Sequence, residues 1–278
     1  MTQRPKEAQD YLRTAENLLE KYSALVIVSG DGLLFEVIQG LFQRPDWQAV
    51  IKDLPIAIIP GGTGNGLAKT LAHLNGEEFN CLNSCLNIIK AEPKPMDLVR
   101  ITNGTTLYYS FLSIGWGFTS DTDIESEIFR FMGEARFFLY SLKLLLELRS
   151  YRAVLTYRPR FSQDLVEDRD DFVIVYCVKQ PWVTSSLLVA PEATLDDGVL
   201  WLLLVRRRCM TRLKMLKVMM GFADGAYLNI EGVELIPVTY FKLAPISQGS
   251  YLTVDGEVVE NGTIEAEIIP KAISIFSK

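Results

Sequence analysis

Two short runs place reactive side chains among glycines directly after apolar segments. Ser29-Gly-Asp-Gly32 follows Ala24-Leu-Val-Ile-Val28. The glycines keep Asp31 accessible and let the backbone approach a ligand. Asp31 can therefore serve as a general base toward a hydroxyl or as a ligand for Mg²⁺, the alternative being a simple turn aspartate. Glu36 lies one turn into the helix that follows, near enough to orient the loop. The second run, Pro60-Gly-Gly-Thr-Gly-Asn-Gly66, follows Ile56-Ala-Ile-Ile59. Its closely spaced glycines let backbone N–H groups converge on an anion, and the next helix adds partial positive charge at its N-terminus. A strained strand-to-helix turn would account for one or two of these glycines, and four favour phosphate. The run fits neither a Walker A loop, since Lys69 follows Ala68, nor G-x-G-x-x-G.

A third constellation is Ser113-Ile-Gly-Trp-Gly-Phe-Thr-Ser-Asp-Thr-Asp-Ile-Glu-Ser-Glu127, followed by Arg130 and Arg136. On a helix, Asp123 and Glu127 share a face that Arg130 extends. The face is either a solvated charged surface or, beside Ile114, Trp116 and Phe118, a partner for an amine carried on a hydrocarbon.

The elements that must position these residues follow from periodicity. Residues 6–21 read as one amphipathic helix. Residues 24–28 and 56–59 read as parallel strands buried on both faces, each followed by a loop and a helix. Asn65 is the expected N-cap of the second helix, which runs to about Ala72. Ligands of such sheets bind at the carboxyl ends of the strands, where both glycine loops lie. The prolines of Glu92-Pro-Lys-Pro95 mark a junction, giving expected domains 1–93 and 94–278. Beyond it, short segments at 97–102, 107–112, 153–157, 172–178, 199–205, 238–243, 251–254 and 263–268 predict an antiparallel β domain. Helices are expected near 121–132, 135–149 and 211–222, and a loop over 161–170. Asn103-Gly-Thr and Asn261-Gly-Thr read as type I′ hairpin turns rather than glycosylation sites.

Composition narrows the chemistry. Lys and Arg total 28 against 34 Asp and Glu in 278 residues, a formal charge of −6, which argues against a nucleic-acid partner. A single histidine, His73, excludes a zinc site with two or more histidines and makes carboxylates the expected acid–base groups. The mean hydropathy of +0.16 points toward apolar ligands or partners. The four cysteines, without a CxxC pair, read as reduced buried thiols of a cytosolic protein. Residues 1–21 are too polar for a signal peptide. The greasiest stretch, 137–148, is interrupted by Lys143 and Glu147. Arg206-Arg-Arg208, Arg212, Lys214 and Lys217 run beside Leu213, Met215, Leu216, Met219 and Met220. This segment is either an approach to anionic membrane or a core-facing helix with a basic outer face.

Taken together, Ser29-Gly-Asp-Gly32 with Glu36, Pro60-Gly-Gly-Thr-Gly-Asn65, the Gly115-Trp-Gly-Phe run through Gly133-Glu-x-Arg136, and Val254-Asp-Gly-Glu257 resemble the sphingosine kinases in order and spacing. These belong to the diacylglycerol-kinase-like lipid kinases. The resemblance covers nearly the whole chain. It implies an α/β nucleotide-binding domain with a parallel sheet and flanking helices, followed by a β-sandwich-like lipid-binding domain. The implied reaction is ATP- and Mg²⁺-dependent phosphorylation of the primary hydroxyl of sphingosine.

Carried over by position, Asp31 is the base. Ser29, Gly30, Gly32, Glu36, Gly61, Gly62, Thr63, Gly64 and Asn65 hold nucleotide, and Arg130 and Arg136 meet its phosphates. Asp255, Gly256 and Glu257 lie at the nucleotide, with Asp255 toward the metal. Asp123 pairs with the substrate ammonium and Glu127 supports it. Ser113 approaches the lipid head group, and Phe118, Phe137, Met219 and Phe222 wall the acyl chain. A cytoplasmic protein in transient contact with membranes, and a homodimer through exposed sheet edges, are the further expectations. One departure stands out. The family's opening Asn-Pro-x-Ser/Gly-Gly-x-Gly strand and loop has no counterpart, and Glu7-Ala8 stands where His-Ala is usual, so the first β–α unit is expected to be absent. The competing readings are a diacylglycerol or ceramide kinase on the same scaffold, and a catalytically silent lipid-binding form.

Overall fold

The computed structural model describes residues 2, 4–133 and 135–278, the side chain of Arg130 excepted. The chain opens with α1 (Glu7–Thr14) and α2 (Leu18–Lys21), then β1 (Leu25–Ser29), α3 (Asp31–Phe42), α4 (Trp47–Asp53), β2 (Ile56–Pro60), α5 (Gly66–Leu74) and α6 (Cys81–Lys90). It continues through β3 (Pro93–Asn103), β4 (Thr106–Ser110), β5 (Ser113–Gly117), α7 (Phe118–Glu125), α8 (Ala135–Glu147), β6 (Tyr151–Pro159), β7 (Val166–Val178) and β8 (Leu200–Arg206). The last elements are α9 (Arg212–Gly221), β9 (Val233–Pro245), β10 (Leu252–Val254), β11 (Glu257–Val259) and β12 (Ile264–Phe276).

The strands join in one mixed sheet, parallel at β1–β2–β12 and antiparallel elsewhere. β2 is apolar throughout and Ile56, Ala57 and Ile58 are buried, as a central strand between helices requires. β1 departs from expectation. Val26 and Val28, alternate residues on one face, are 51% and 64% exposed, and among the described residues β1 is an edge strand paired with β2 alone. The expected helix over 6–21 is two helices, broken where Asn17 adopts a left-handed backbone at φ 57°. α3 carries Leu34, Ile38 and Leu41 at helical spacing, and all three face the core.

β12 binds the two halves together. Residues 264–269 pair with β3, and at 275 the strand reaches β2. Between them it bulges, with Lys271 at φ 50° and its amide donating to buried Asp97 at 2.8 Å. Asp97 also accepts from Gly198 N and lies 3.5 Å from Lys179 Nζ, which pairs with Asp197 at 2.7 Å. This buried set is satisfied largely by backbone, which makes such burial tolerable.

Three other expectations are corrected. The charged stretch inside 161–170 begins β7, where Asp168 and Asp170 bind buried Arg206. Asn103-Gly104 does lead a hairpin between β3 and β4, but of its turn residues Gly104 alone has positive φ, so the turn is not type I′; Asn261-Gly262 lies on a crossover, its strands β11 and β12 being unpaired with each other. The cysteines are free thiols, of which only Cys177 is fully buried.

Candidate active site

The register Ser29↔Pro60 brings both glycine loops out side by side at the carboxyl ends of β1 and β2. They touch backbone to backbone. A Cβ on Gly62 would sit 2.4 Å from Gly30 Cα, and one on Gly30 would sit 2.9 Å from Gly64 O. Side chains are excluded here by contact, not by backbone angle. Asn65 is a clamp rather than a helix cap. Its Oδ1 accepts from Gly61 N and Gly62 N at 3.2 and 3.1 Å, and its Nδ2 donates to Gly62 O at 2.8 Å. Among the described residues the amides of Thr63 and Gly64 at the loop crest have no partner.

Asp31 opens α3 and is buried. Its carboxylate accepts from Gly66 N at 2.7 Å and Leu67 N at 3.3 Å. The first donors of α5, expected to meet a phosphate, are therefore spent on Asp31. Burial pushes the Asp31 carboxyl up to about 6 despite these bonds. A base of that strength is ionised at neutral pH yet takes a proton readily. Glu36 is not part of this loop. Its carboxylate accepts from Lys6 N at 2.8 Å and Ala8 N at 3.3 Å, fixing the start of α1.

Val254-Asp-Gly-Glu257 is a two-residue hairpin in which Asp255 and Gly256 both have positive φ, 50° and 85°. That is the type I′ signature, legible in the Asp-Gly pair itself. The Asp255 side chain turns inward. It accepts from Ser110 Oγ at 2.5 Å and from the amides of Phe111, Leu112 and Ser113 at 3.1, 3.1 and 2.8 Å. Burial pushes it, too, up to about 6. The expected metal-ligand role of Asp255 is corrected on this ground: its oxygens are committed to the β4–β5 connection. Glu257 faces the other way, with Oε1 3.4 Å from the Cβ position of Gly32.

Across the hairpin stands Asp123, with Oδ2 3.5 Å from the Cβ position of Gly256 and Oδ1 3.5 Å from Arg136 Nη2. Arg136 is buried with its guanidinium over Phe137, and its Nε and Nη1 lack partners among the described residues, as do Thr119 and Thr122 Oγ1 on α7. Unsatisfied buried donors cluster where a ligand supplies the missing acceptors. The expected helix face shared by Asp123 and Glu127 does not form. α7 ends at Glu125, a 3₁₀ turn follows, and Glu127 is exposed on it. The Arg130 side chain and Glu134 lie outside the described residues.

Sequence reasoning missed Tyr176, which lies beside Ser113 and Gly115. Burial raises its phenol above the ordinary range, and the charges of Asp123, Asp255 and Asp31 raise it further. Its hydroxyl meets Ser113 Oγ at 3.3 Å. It also missed Asp121, which accepts from Tyr151 Oη, Ser250 Oγ and Tyr251 N and so anchors α7. No signal marks Tyr176, since a tyrosine in a buried strand reads as core. Of the expected acyl-chain residues, Phe118 and Phe137 lie beside these groups on α7 and α8. Phe222 lies against Tyr227 beyond α9, the rings tilted with centroids 4.5 Å apart, and Met219 packs against the core.

Among the described residues no three His, Cys, Asp or Glu converge as a metal cluster. Mg²⁺ in phosphate sites uses one or two carboxylates with phosphate oxygens and water, so Glu257 beside Gly32 fits that demand and Asp255 does not.

Residues 1–101 match the diacylglycerol kinase catalytic domain, and residues 114–277 match the YegS C-terminal NAD kinase β-sandwich-like domain. A solved structure of a diacylglycerol kinase from Bacillus anthracis superposes with a TM-score of 0.66 at 17% identity, over 100% of this chain and 83% of that one. Fold and matches thus define a lipid kinase of the diacylglycerol-kinase-like class. Sphingosine kinase 1 of Mus musculus is 31% identical over 97% of this chain and 79% of its own length. Sphingosine kinase 1 of Arabidopsis thaliana is 31% identical over 98% of this chain, which spans 63% of that relative. Within the class, the chain belongs to the sphingosine kinase family.

Proposed function

We propose that the protein transfers the γ-phosphoryl group of ATP to the primary hydroxyl of a sphingoid base such as sphingosine. The observation that carries this reading is the pairing of two separate carboxylates across one hairpin. Asp31 lies beside the open amides of Thr63 and Gly64, and Asp123 lies beside the half-satisfied guanidinium of Arg136. Asp123 already faces Arg136 at 3.5 Å, and a substrate ammonium gives this carboxylate a second cationic partner where a neutral lipid head gives none. Residues 1–93, completed by the end of β12, form the nucleotide half, and 94–278 the lipid half.

Asp31 accepts the hydroxyl proton as the oxygen bonds to the γ-phosphorus and the bond to the β-phosphate oxygen breaks, leaving ADP. Thr63 and Gly64 amides and Arg136 hold phosphate oxygens, where phosphoryl transfer needs positioned charge more than covalent help. Asp123 holds the ammonium and Ser113 the head group. Glu257 would hold Mg²⁺, which would supply charge neutralisation on the phosphates.

The lipid reaches the site from a membrane surface. Ile128, Phe131, Phe138, Leu146, Leu213 and Met220 are all exposed on the 3₁₀ turn, α8 and α9, the last joined to α8 where Arg212 Nε donates to Leu146 O, and Arg207, Arg208, Arg212 and Lys217 supply basic charge on and just before α9. Arg206 takes no part, being locked to Asp168, Asp170 and Glu234. No described helix is long and apolar enough to cross a membrane.

The test is transfer of labelled γ-phosphate to a substrate panel. Sphingosine should be phosphorylated at least tenfold faster than diacylglycerol or ceramide. A preference for either neutral lipid would overturn the reading.

A further inference from the structure

Resting on the proposed sphingoid-base reading, we infer that the Tyr176–Ser113 hydroxyl pair makes Tyr176 a specificity-determining residue. It selects long-chain bases that carry two hydroxyls on the neighbouring carbons beyond the amine. The placement comes from the sheet. Tyr176 pairs with Gly115 across β5 and β7, and a Cβ on Gly115 would lie 3.2 Å from the tyrosine ring, so the ring occupies space left by the missing side chain. Ser113, two residues before Gly115, points to the same face of β5. On that face Ile174 and Val178 of β7 are buried beside the tyrosine, and the hydroxyls of Ser120 and Thr253 lie 2.4 and 2.8 Å from the same Cβ position.

The pair is loosely satisfied. Tyr176 Oη to Ser113 Oγ is 3.3 Å, beyond the usual O–H···O range, whereas the adjacent pair Ser120 Oγ and Thr253 Oγ1 closes at 2.8 Å. Asp255 takes the Ser113 amide, not its hydroxyl. The two hydroxyls therefore keep one donor hydrogen and most of their acceptor lone pairs for a ligand. Such groups are costly to bury without partners.

Their position identifies the ligand group. The 254–257 hairpin links the pair to both carboxylates: Asp255 takes the Ser113 amide, the Cβ position of Gly256 lies 3.5 Å from Asp123 Oδ2, and Glu257 Oε1 lies 3.4 Å from the Cβ position of Gly32, the residue after Asp31. An amino alcohol bound with its primary hydroxyl at Asp31 and its amine at Asp123 carries its next carbons past this pair. Two protein hydroxyls about one hydrogen bond apart match two substrate hydroxyls on adjacent carbons. A base lacking one of them leaves a buried hydroxyl unpaired, and sites built to bind a hydroxyl reject analogues without it.

The experiment measures kcat/KM for three saturated bases sharing chain length, amine and primary hydroxyl. They carry no, one or two secondary hydroxyls next to the amine. The wild type needs no substitution to give the first answer: the two-hydroxyl base should exceed the one-hydroxyl base about tenfold or more. Tyr176→Phe keeps the ring and should collapse that ratio toward one. Ser113→Ala should shrink it in the same direction. Equal kcat/KM for the one- and two-hydroxyl bases, or a Tyr176→Phe loss that scales all bases alike and preserves the ratio, overturns the role of Tyr176 alone. Turnover of no base at all overturns the function beneath it and the inference together.

Discussion

Asp31 and Asp255 show how one physical effect serves two tasks. Burial pushes both up to about 6. Asp31 accepts from the two amides of α5 and faces the glycine loop, so it remains placed for a proton. Asp255 is saturated by four donors of the β4–β5 connection and holds Ser113 in place. Asp255→Ala leaves those donors buried without an acceptor, at a cost on the order of 3 kcal/mol or more. The melting temperature should fall by roughly 5 °C or more. If the variant melts with the wild type and only activity is lost, Asp255 touches ligand directly and its positioning role is wrong. Asp31, the glycine loops, Asp123 and Arg136 were legible as residues because their types and spacing are specific. The inward turn of Asp255 was not, because an Asp-Gly hairpin and a metal-binding aspartate look alike in one dimension. Glu36 was misplaced for the related reason that one helical turn sets distance, not direction.

At the scale of elements, α7, the 3₁₀ turn and α8 carry Asp123, Arg136 and the exposed apolar residues on one connected stretch. Under the proposed function, membrane contact and substrate loading share this surface. Replacing Phe131 and Leu146 by Glu should reduce co-sedimentation with vesicles containing anionic lipid at least severalfold, because each exposed apolar side chain contributes to insertion. Undiminished co-sedimentation would place the membrane contact elsewhere. The strand–loop–helix units and the antiparallel segments were readable from period and turn residues. The first half of β7 was not, since Glu167-Asp-Arg-Asp-Asp171 has the composition of a loop. It is a strand because Arg206 on β8 gathers Asp168 and Asp170. The end of α7 was equally hidden: helical spacing from 121 to 132 continues through a stretch whose Phe129 has non-helical angles, φ −105° and ψ 23°.

For the molecule as a whole, the site sets stability against activity. Asp31 and Asp255 bind protons more tightly folded, at about 6, than at the ordinary value of 3.8. The native state therefore holds more protons between those values, and stability rises as pH falls through about 6. Carboxylates held below their ordinary range, Asp46, Asp170 and Glu231, lose their contribution only at lower pH. Activity should move the other way, because a protonated Asp31 cannot accept the substrate proton. From pH 7.5 to 5.5 the melting temperature should rise while kcat/KM falls. A parallel fall of both would contradict the burial of ionised carboxylates. That β12 returns from the lipid half to pair with β2 was not readable, because strand order across two hundred residues leaves no mark in local pattern.

The central claim is that Asp31 takes the proton of a sphingoid base's primary hydroxyl during phosphoryl transfer. The most direct measurement is single-turnover transfer of labelled γ-phosphate from ATP to sphingosine by the wild type and Asp31→Asn, with sphingosine binding measured on both. The account predicts that Asp31→Asn loses transfer by 10² to 10⁴-fold, about the worth of a general base, while still binding the lipid. Transfer within a fewfold of the wild type would contradict it.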